Sequence, residues 1–498
     1  MTYPYRPRST SPDPDPNPNP DPNPNPNPNP NPSPDPGCRP DAPTAPLLNP
    51  ADAAHELVSP RALTHVRGLP PDDLPAYVYD LDGLEAHVAA VRSALPPAVE
   101  LYYAAKANPA AEILRAIATH VTGYEVASGG ELAHVGSAVP GAPLAFGGPG
   151  KTEAELRRAL DLGVQRFHVE SEHELRLLIG LVAARPDADA RPVGVLLRVN
   201  LPAEPGAGPP VGGHGGPREA DSEHVPTQRV APESGPGASP RPALAMGGLP
   251  SPFGLDPDQL RRLLPAFAEE GAATRAGLRL RGIHAHLASG LDARAQLAVA
   301  DRIVRFARTL ATEAGPWFAA QLTEVNVGGG MAVDYGRPGE RFDWAAYGTG
   351  LGELAARYPE FTLRIEPGRA LAAYCGWYVT EVLDVKHSQG EAFAVLRGGT
   401  HHLRTPATKG HDQPFAVLPV DEWPRPWPRP AATGEPVTLT GQLCTPKDVL
   451  ATRVPTERLR AADRVVFALA GAYAWNISHH DFLMHPRPVF HYLGSAPY

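Results

Sequence analysis

Residues 102–109 read Tyr-Tyr-Ala-Ala-Lys-Ala-Asn-Pro, and the interpretation of the whole chain starts from this stretch. The apolar and aromatic run from Val99 to Ala105 predicts a buried strand, which Asn108 and Pro109 end before a helix begins. Lys106 then lies at the tip of a core strand, where burial of an unpaired ammonium is costly. The same position suits a lysine that forms an imine with a carbonyl compound in a pocket. Because many lysines end strands and simply reach solvent, other segments must decide between the two interpretations.

Strand-like and helix-like segments alternate along the chain after residue 76. Tyr77–Asp80 predicts a short strand and Leu81–Ala94 a helix, and eight further strand patterns follow. These patterns cover Val99–Ala105, Thr122–Val126, Pro143–Phe146, Arg166–Val169, Pro192–Val199, Arg279–Leu287, Leu322–Val327 and Thr362–Glu366. Strands that alternate with helices indicate a parallel sheet, and eight such units favour a closed (β/α)8 barrel within residues 76–369. An open doubly wound sheet is the alternative.

Three other regions differ in composition from the barrel segment. Residues 1–45 contain a run of Pro alternating with Asn and Asp, which predicts a disordered low-complexity tail. Residues 201–249 are rich in Gly and Pro and nearly lack periodicity, which predicts a disordered insertion within the barrel. After Arg369, short apolar runs between turns predict a mostly β second domain of residues 370–498, to which we also assign residues 51–75. The runs are Trp377–Val385, Ala392–Leu396, Pro436–Leu439 and Arg464–Leu469.

The composition excludes several classes of partner. The net charge is -9 with 20% charged residues and no basic block, so nucleic acid and anionic membranes are poor partners. No apolar stretch approaches the ~18 residues that span a bilayer, and the start has no apolar secretory core. The three cysteines Cys38, Cys375 and Cys444 are too few for a disulfide framework and fit no metal site. We expect a cytoplasmic protein without a bound metal.

The ends of the last three predicted barrel strands carry polar residues and glycines. Strand six ends with His284 and His286 on one face. Strand seven ends in Gly328–Gly330, whose backbone N–H groups can approach an anion closely, and strand eight continues into Glu366–Arg369. Active sites of barrels lie at these strand ends, often with phosphate bound after strands seven and eight. Together with Lys106, the set matches pyridoxal 5'-phosphate: a lysine for the imine, an anion cradle, a carboxylate for the ring nitrogen and an imidazole to stack on the ring.

At these motifs the chain resembles the fold-type III pyridoxal-phosphate decarboxylases, the group of ornithine, arginine and diaminopimelate decarboxylases. The resemblance runs from about residue 77 to residue 473. It rests on Tyr-Ala-Ala-Lys106-Ala-Asn, Glu125-Val-Ala-Ser128-Gly-Gly-Glu-Leu, His286-Leu-Ala-Ser289-Gly, Gly328-Gly-Gly330, Glu366-Pro-Gly-Arg369, Cys444 with Asp448, and Gly471-Ala-Tyr473. It implies an alanine-racemase-like barrel with a mostly β second domain, assembled as a head-to-tail homodimer with shared active sites.

The resemblance also implies a role for each matched residue. Lys106 would carry the cofactor, His286 would stack on its ring, and Glu366 would pair with the ring nitrogen. The phosphate would be held by Ser289, Gly328, Gly329, Gly330, Gly368, Arg369 and Tyr473. Cys444 and Asp448 would cross the dimer interface into the partner's site, with Cys444 as the proton donor after CO2 departs.

The segment after Leu396 bears on the substrate. Residues 397–406 resemble the diaminopimelate-decarboxylase segment in which an arginine binds a substrate carboxylate, and Arg404 occupies that position. The acidic residue that grips a diamine in ornithine-type enzymes is replaced near Gly398. Thr445-Pro446-Lys447 follows Cys444, where diaminopimelate decarboxylases usually have a glutamate. A polyanionic substrate is favoured by the positive or potentially positive residues Lys447, Arg404, Lys409, His401, His402 and His411.

The double histidine with Leu-Arg-x-Pro resembles the siderophore-biosynthesis branch of the family, which decarboxylates amino-acid units joined to citrate or a similar acid. We therefore predict pyridoxal-phosphate-dependent decarboxylation of a citrate-linked L-amino-acid substrate, bound by His401, His402, Arg404 and Asp448. Diaminopimelate decarboxylase in lysine biosynthesis is the alternative. A non-catalytic decarboxylase-like regulator is opposed by the intact Lys106, Cys444 and Asp448, and the Cys/Asp pair also fits a decarboxylase better than a racemase.

Overall fold

The computed structural model describes residues 50–185, 192–202, 244–406 and 411–494 of the chain. The predicted tail of residues 1–45 lies outside the described residues, as do most of the predicted 201–249 insertion and Lys409. Within the described ranges, the structure contains no helix long and apolar enough to cross a membrane.

The elements are numbered in chain order. The strands are β1 (Ala76–Asp80), β2 (Val99–Ala104), β3 (Gly123–Val126), β4 (Leu144–Phe146), β5 (Arg166–Val169), β6 (Val193–Arg198), β7 (Leu244–Ala245), β8 (Leu278–His284), β9 (Ala288–Ser289), β10 (Glu324–Asn326), β11 (Thr362–Ile365), β12 (Gly376–Ser388), β13 (Glu391–Leu396), β14 (Phe415–Leu418), β15 (Ala431–Thr440), β16 (Val449–Arg460), β17 (Arg464–Phe467) and β18 (Val489–Leu493). The helices are α1 (Pro50–Leu57), α2 (Pro60–Gly68), α3 (Leu81–Ala94), α4 (Ala111–Ile117), α5 (Gly129–Ala138), α6 (Glu153–Asp161), α7 (Glu172–Ala183), α8 (Pro257–Leu263), α9 (Ala272–Arg275), α10 (Ala293–Ala314), α11 (Pro316–Gln321), α12 (Trp344–Arg357) and α13 (Arg369–Ala372).

Eight parallel strands close into a barrel in the order β2, β3, β4, β5, β6, β8, β10 and β11, with β11 paired back to β2. Each corresponds to one of the eight predicted strands, so the closed barrel is confirmed and the open doubly wound sheet is wrong. The bounds of β5 are as predicted. Strand β10 is shorter than the predicted Leu322–Val327, because the chain leaves the sheet towards Gly328, which has a φ of +72°.

A network of ion pairs fills the amino-terminal end of the barrel. Glu324, the first residue of β10, accepts from Arg166 at 2.8 Å, Arg281 at 2.9 Å and Arg364 at 3.1 Å. Burial raises the pKa of Glu324, but the three guanidinium groups outweigh it and hold the pKa below its ordinary value. This end of the barrel is therefore occupied by ion pairs, which leaves the opposite end for a site.

The second sheet is of mixed direction, in the order β14-β17-β12-β13-β15-β16, and β1 joins it through β12 while β18 pairs parallel with β1. The four predicted apolar runs lie in β12, β13, β15 and β17. Strands β14, β16 and β18 were not predicted. The prediction of a mostly β second domain is confirmed.

Two segments near the predicted domain boundaries lie in or on the second sheet. Residues 76–80 belong to the second sheet and not to the barrel: Tyr77 stacks on Phe490, and its hydroxyl donates to the His402 carbonyl at 2.8 Å. The segment before them forms helices α1 and α2 and contributes no strand; it packs on the sheet, where the Trp377 indole donates to the Leu57 carbonyl at 2.8 Å. A short strand followed by a helix has the same local pattern in either sheet, so its partner could not be deduced from periodicity.

Candidate active site

Lys106 lies on a single turn of 3-10 helix, Ala105–Ala107, directly after β2. Its Nζ is 2.5 Å from Oε2 of Glu125, a buried residue of β3. Burial lowers the pKa of Lys106, but the Glu125 carboxylate outweighs it, and the net pKa lies above the ordinary lysine value. The turn is fixed from the second domain, because Asn476 donates its side-chain amide to the Lys106 carbonyl at 2.6 Å and the Tyr473 N–H donates to the Ala107 carbonyl at 2.8 Å.

The three consecutive glycines allow three loops to meet beside this lysine. Gly328 and Gly330 have φ angles of +72° and +102°, which favour glycine. A Cβ on Gly329 would lie 2.4 Å from the Glu366 carbonyl oxygen, and one on Gly330 would lie 3.2 Å from the Cα of Ser289. Any larger residue at Gly329 would therefore push the loop after β10 away from the loop after β11.

His286 follows β8 and contacts the glycine turn. Its Nδ1 accepts the Gly329 N–H at 3.3 Å. Burial, with a smaller effect of the Lys106 charge, lowers the pKa of His286 to about 3, so the ring is neutral. A neutral imidazole can pack face to face with an aromatic ring without the cost of burying a charge.

Arg369 begins α13 and lies against two tyrosines. Its guanidinium donates to the Tyr335 hydroxyl at 2.6 Å and lies 4.5 Å from the centre of the Tyr473 ring. The preceding Gly368 packs so closely on the lysine turn that a Cβ would lie 2.7 Å from the Cβ of Ala107. The structure thus brings the predicted phosphate ligands to one place, with a guanidinium and a glycine turn suited to an anion.

Glu366 follows β11 and is buried within the barrel. Its Oε1 accepts the Asn326 amide at 2.6 Å, and its Oε2 is 3.5 Å from Nε2 of His284. Burial raises the pKa of Glu366 to about 7, and the nearby Glu125 charge adds to the rise, while the Asn326 hydrogen bond opposes it. A carboxyl group in this state is suited to a partner that brings a positive charge.

Five residues of this site were not assigned a role from the sequence: Glu125, His168, His284, Asn326 and Tyr335. Four of them lie at or next to the carboxyl end of a barrel strand: Glu125 in the second, His168 in the fourth, His284 in the sixth and Asn326 in the seventh, so their positions were a usable signal. Tyr335 has no such signal, because it lies in a loop.

The predicted substrate residues lie in the second domain. Cys444 is a free, exposed thiol on the loop between β15 and β16, and Lys447 of the same loop and Arg404 are also exposed. Within the described residues of the chain, the hydrogen-bond partners of Lys106, His286 and Glu366 do not include Cys444.

Three of the predicted substrate residues are buried in the chain. Asp448 is buried, and both its oxygens accept hydrogen bonds from its own chain, while its role at an interface or a substrate stays a prediction. His401 and His402 are also buried, and burial lowers their pKa values to about 4 and about 3. The two rings are therefore neutral and add no positive charge for a substrate. The sequence could not show this, because its pattern gives the position of a polar residue without its burial.

Comparisons with known proteins agree on the type of chemistry. A family described as pyridoxal-dependent decarboxylase, C-terminal sheet domain, matches residues 76–471. The chain is 36% identical over 423 residues to the 2-[(L-alanin-3-ylcarbamoyl)methyl]-2-hydroxybutanedioate decarboxylase of Staphylococcus aureus, covering 84% of this chain and 94% of that protein. It is 29% identical over 432 residues to the L-glutamyl-[BtrI acyl-carrier protein] decarboxylase of Niallia circulans, covering 84% and 88%. The structure of diaminopimelate decarboxylase from Helicobacter pylori complexed with L-lysine is similar in fold, with a TM-score of 0.65 at 21% identity over 86% of this chain and 93% of that one.

Proposed function

The chain belongs to the pyridoxal-dependent decarboxylases, and from this premise we propose that it binds pyridoxal 5'-phosphate at Lys106 and removes CO2 from an amino acid joined to a citrate-like acid. The observation that carries the proposal is the 36% identity to the Staphylococcus aureus enzyme over 94% of its length. The name of that enzyme's substrate describes a hydroxybutanedioate with an alanine attached through an amide. The name of the Niallia circulans relative also describes an amino acid attached to a larger group. Conjugates of this type are made in siderophore biosynthesis. The double-histidine motif of the chain resembles the branch of the family that acts there.

The donors around Lys106 fit this cofactor. Arg369, the Gly328–Gly330 turn and Tyr473 would hold the phosphate, and Glu366 would face the ring nitrogen. When bound, the cofactor supplies an electron sink for the charge left by departing CO2.

The residues of the chain prepare this chemistry through charge and packing. Glu125 holds the Lys106 ammonium, and the lysine must pass its proton on before its amine can react with a carbonyl carbon. The neutral ring of His286 packs against a flat partner, while its contact with the Gly329 N–H keeps it oriented. Glu366, with a pKa near 7, holds or releases a proton at the ring nitrogen.

The substrate side depends on a second copy of the chain. We propose a homodimer in which the loop of Cys444 and Lys447 extends over the barrel mouth of the partner subunit. Asp448 supports this arrangement by accepting the Leu443 N–H at 2.8 Å, which anchors the loop next to the exposed Cys444 thiol. The thiol would donate a proton to carbon after CO2 leaves, and the Lys447 and Arg404 charges would bind the carboxylates of the substrate.

An assay of CO2 release tests the proposal. The purified protein should be yellow, and Lys106→Ala should lose the absorption band of the imine while Lys386→Ala, an exposed lysine of β12, should keep it. The substrates are the citrate conjugate named for the Staphylococcus aureus relative, meso-diaminopimelate, ornithine and lysine. Turnover of the conjugate alone supports the proposal. A colourless wild-type protein would contradict the cofactor assignment, and efficient turnover of free diaminopimelate would contradict the substrate assignment.

Diaminopimelate decarboxylation is the second candidate, because Arg404 occupies the position of the carboxylate-binding arginine in those enzymes. Lys447 disfavours it, since an ammonium group at this position repels the distal amine of diaminopimelate. The variant Lys447→Glu distinguishes the two. If the loop contacts the distal end of the substrate, this variant should raise the KM for the conjugate and lower the KM for diaminopimelate.

A further inference from the structure

Two buried histidines lie beside Glu366 inside the barrel. His168 of β5 and His284 of β8 are 0% and 5% exposed, and their rings stack with centres 4.2 Å apart at an angle of 27°. Nε2 of His284 is 3.5 Å from Oε2 of Glu366, and Nε2 of His168 is 3.9 Å from Oε1. Each imidazole therefore presents a ring nitrogen to one oxygen of the same carboxyl group.

The other hydrogen bonds at Glu366 fix its orientation. Asn326 donates its amide to Oε1 at 2.6 Å and accepts the Gly328 N–H at 2.9 Å through its own oxygen, so this amide can only be a donor towards Glu366. In the part of the chain that the structure describes, none of the four imidazole nitrogens of His168 and His284 has a hydrogen-bond partner. A buried imidazole without a partner is costly, so a role towards the group that both rings face is the simplest explanation.

The charges around the pair make both rings neutral. Burial, with the positive charges of Arg364, Lys151, Arg198 and Lys106, holds the pKa of His168 well below its ordinary value. The pKa of His284 is lowered in the same way, first by burial and then by the neighbouring His168. Two histidines and a glutamate are also a donor set for a metal ion. Because each ring turns its Nε2 towards a carboxyl oxygen, which is an acceptor when ionised, we assign both rings as neutral N–H donors towards Glu366.

We propose that His168 and His284 are positioning residues, whose neutral rings turn N–H groups towards Glu366 and favour its carboxylate form facing the ring nitrogen of the cofactor. The inference rests on the proposed cofactor. Burial and the Glu125 charge favour a protonated Glu366, while Asn326, Lys106 and Arg364 favour the carboxylate. Two further N–H donors shift this balance towards the carboxylate, which keeps a proton on the ring nitrogen and makes the ring a better electron sink.

Cofactor binding to the apoprotein tests the role of each histidine. His284→Phe and His168→Phe remove the donor but keep a flat ring, whereas His284→Gln and His168→Gln keep an N–H donor near the position of Nε2. His173→Phe, at an exposed position on α7, is the control. Each protein is titrated with pyridoxal 5'-phosphate and with an analogue that has C–H in place of the ring nitrogen.

The phenylalanine variants should bind pyridoxal 5'-phosphate about tenfold more weakly than wild type, because Glu366 loses one N–H donor that faces its charge. The glutamine variants should stay within about threefold of wild type, and all proteins should bind the C–H analogue alike. An equal loss for both ligands would show that the histidines only fill space and would overturn the proposal. So would a stoichiometric metal ion that His284→Phe removes. A wild type without cofactor affinity overturns the proposed function, whereas wild-type binding by the phenylalanine variants overturns this inference alone.

Discussion

Substitution of Asp448 separates a structural role of this carboxylate from a role in substrate binding. Its Oδ1 accepts the Thr400 N–H at 2.6 Å and the Thr400 hydroxyl at 2.8 Å, and its Oδ2 accepts the Leu443 N–H at 2.8 Å. The residue is 2% exposed, so water cannot replace these bonds. Asp448 thus joins the loop after β13 to the loop before β16.

The hydrogen bonds set the expected loss of stability. Asp448→Ala leaves two buried N–H groups and a hydroxyl without their acceptor, at roughly 1–3 kcal/mol each. Because the hydroxyl can rotate towards another acceptor, we expect a loss of about 4 kcal/mol in the free energy of unfolding. Asp448→Asn keeps an oxygen for Thr400 but turns an NH2 group towards the Leu443 N–H, so about 2 kcal/mol should be lost.

Urea denaturation followed by circular dichroism measures these losses, and steady-state kinetics are recorded on the same samples. Asp384→Ala, at an exposed position of β12, is the matched control and should leave the urea midpoint unchanged. If Asp448 has a structural role, Asp448→Ala should lower the urea midpoint more than Asp448→Asn does. An unchanged midpoint together with a tenfold rise in KM would refute the reasoning and restore a substrate-binding role.

Three further predictions concern the barrel site. Gly329→Ala should abolish cofactor binding, because its Cβ would lie 2.4 Å from the Glu366 carbonyl oxygen, and retained affinity in a fluorescence titration would contradict this. Glu125→Gln should lower the pKa of Lys106 and therefore move the pH midpoint of imine formation to lower pH. The midpoint is measured by absorbance after apoprotein is mixed with pyridoxal 5'-phosphate, and a shift to higher pH would argue against the ion pair. Glu366 has a pKa of about 7 in the folded protein against an ordinary 4.5, so the apoprotein binds this proton more tightly when folded and loses stability as the pH rises between these values. In urea denaturation of the apoproteins, Glu366→Gln should therefore be about 3 kcal/mol more stable than wild type at pH 8 and equal to it at pH 4.5. Equal stability of the two proteins at both pH values would contradict the raised pKa of Glu366.

The sequence was most informative where function depends on position along a strand. The eight alternating units predicted the barrel, and the rule that strand ends carry the site then selected Lys106, His286 and Glu366. The tight turn of Gly328–Gly330 could be predicted because close backbone approach requires glycine, and the three glycines are visible in the sequence.

The sequence was least informative where burial decides the chemistry. The motif around His401 and His402 indicated potential charge, yet both residues are buried, and burial lowers their pKa values to about 4 and about 3. Asp448 matched a motif as well, but its oxygens are used by its own backbone. Strand β1 was included in the barrel segment of residues 76–369 but pairs with β12, because the pairing partner of a strand depends on contacts distant in sequence.

The charge balance inside the barrel gives the strongest physical argument for the cofactor. The other buried acids near the site are matched by cations: Glu125 by Lys106, Glu170 by Arg198 and Glu174 by Lys151. Within the described residues, the ion-pair contacts of Glu366 are only with two neutral histidines, and burial together with the nearby Glu125 charge raises its pKa to about 7. In the proposed holoenzyme, a protonated ring nitrogen that faces this carboxyl group would supply a cation for Glu366, and the phosphate would lie near Arg369. A ligand without that charge would leave the cost of ionising the buried Glu366 uncompensated, so we expect the barrel to favour a pyridinium.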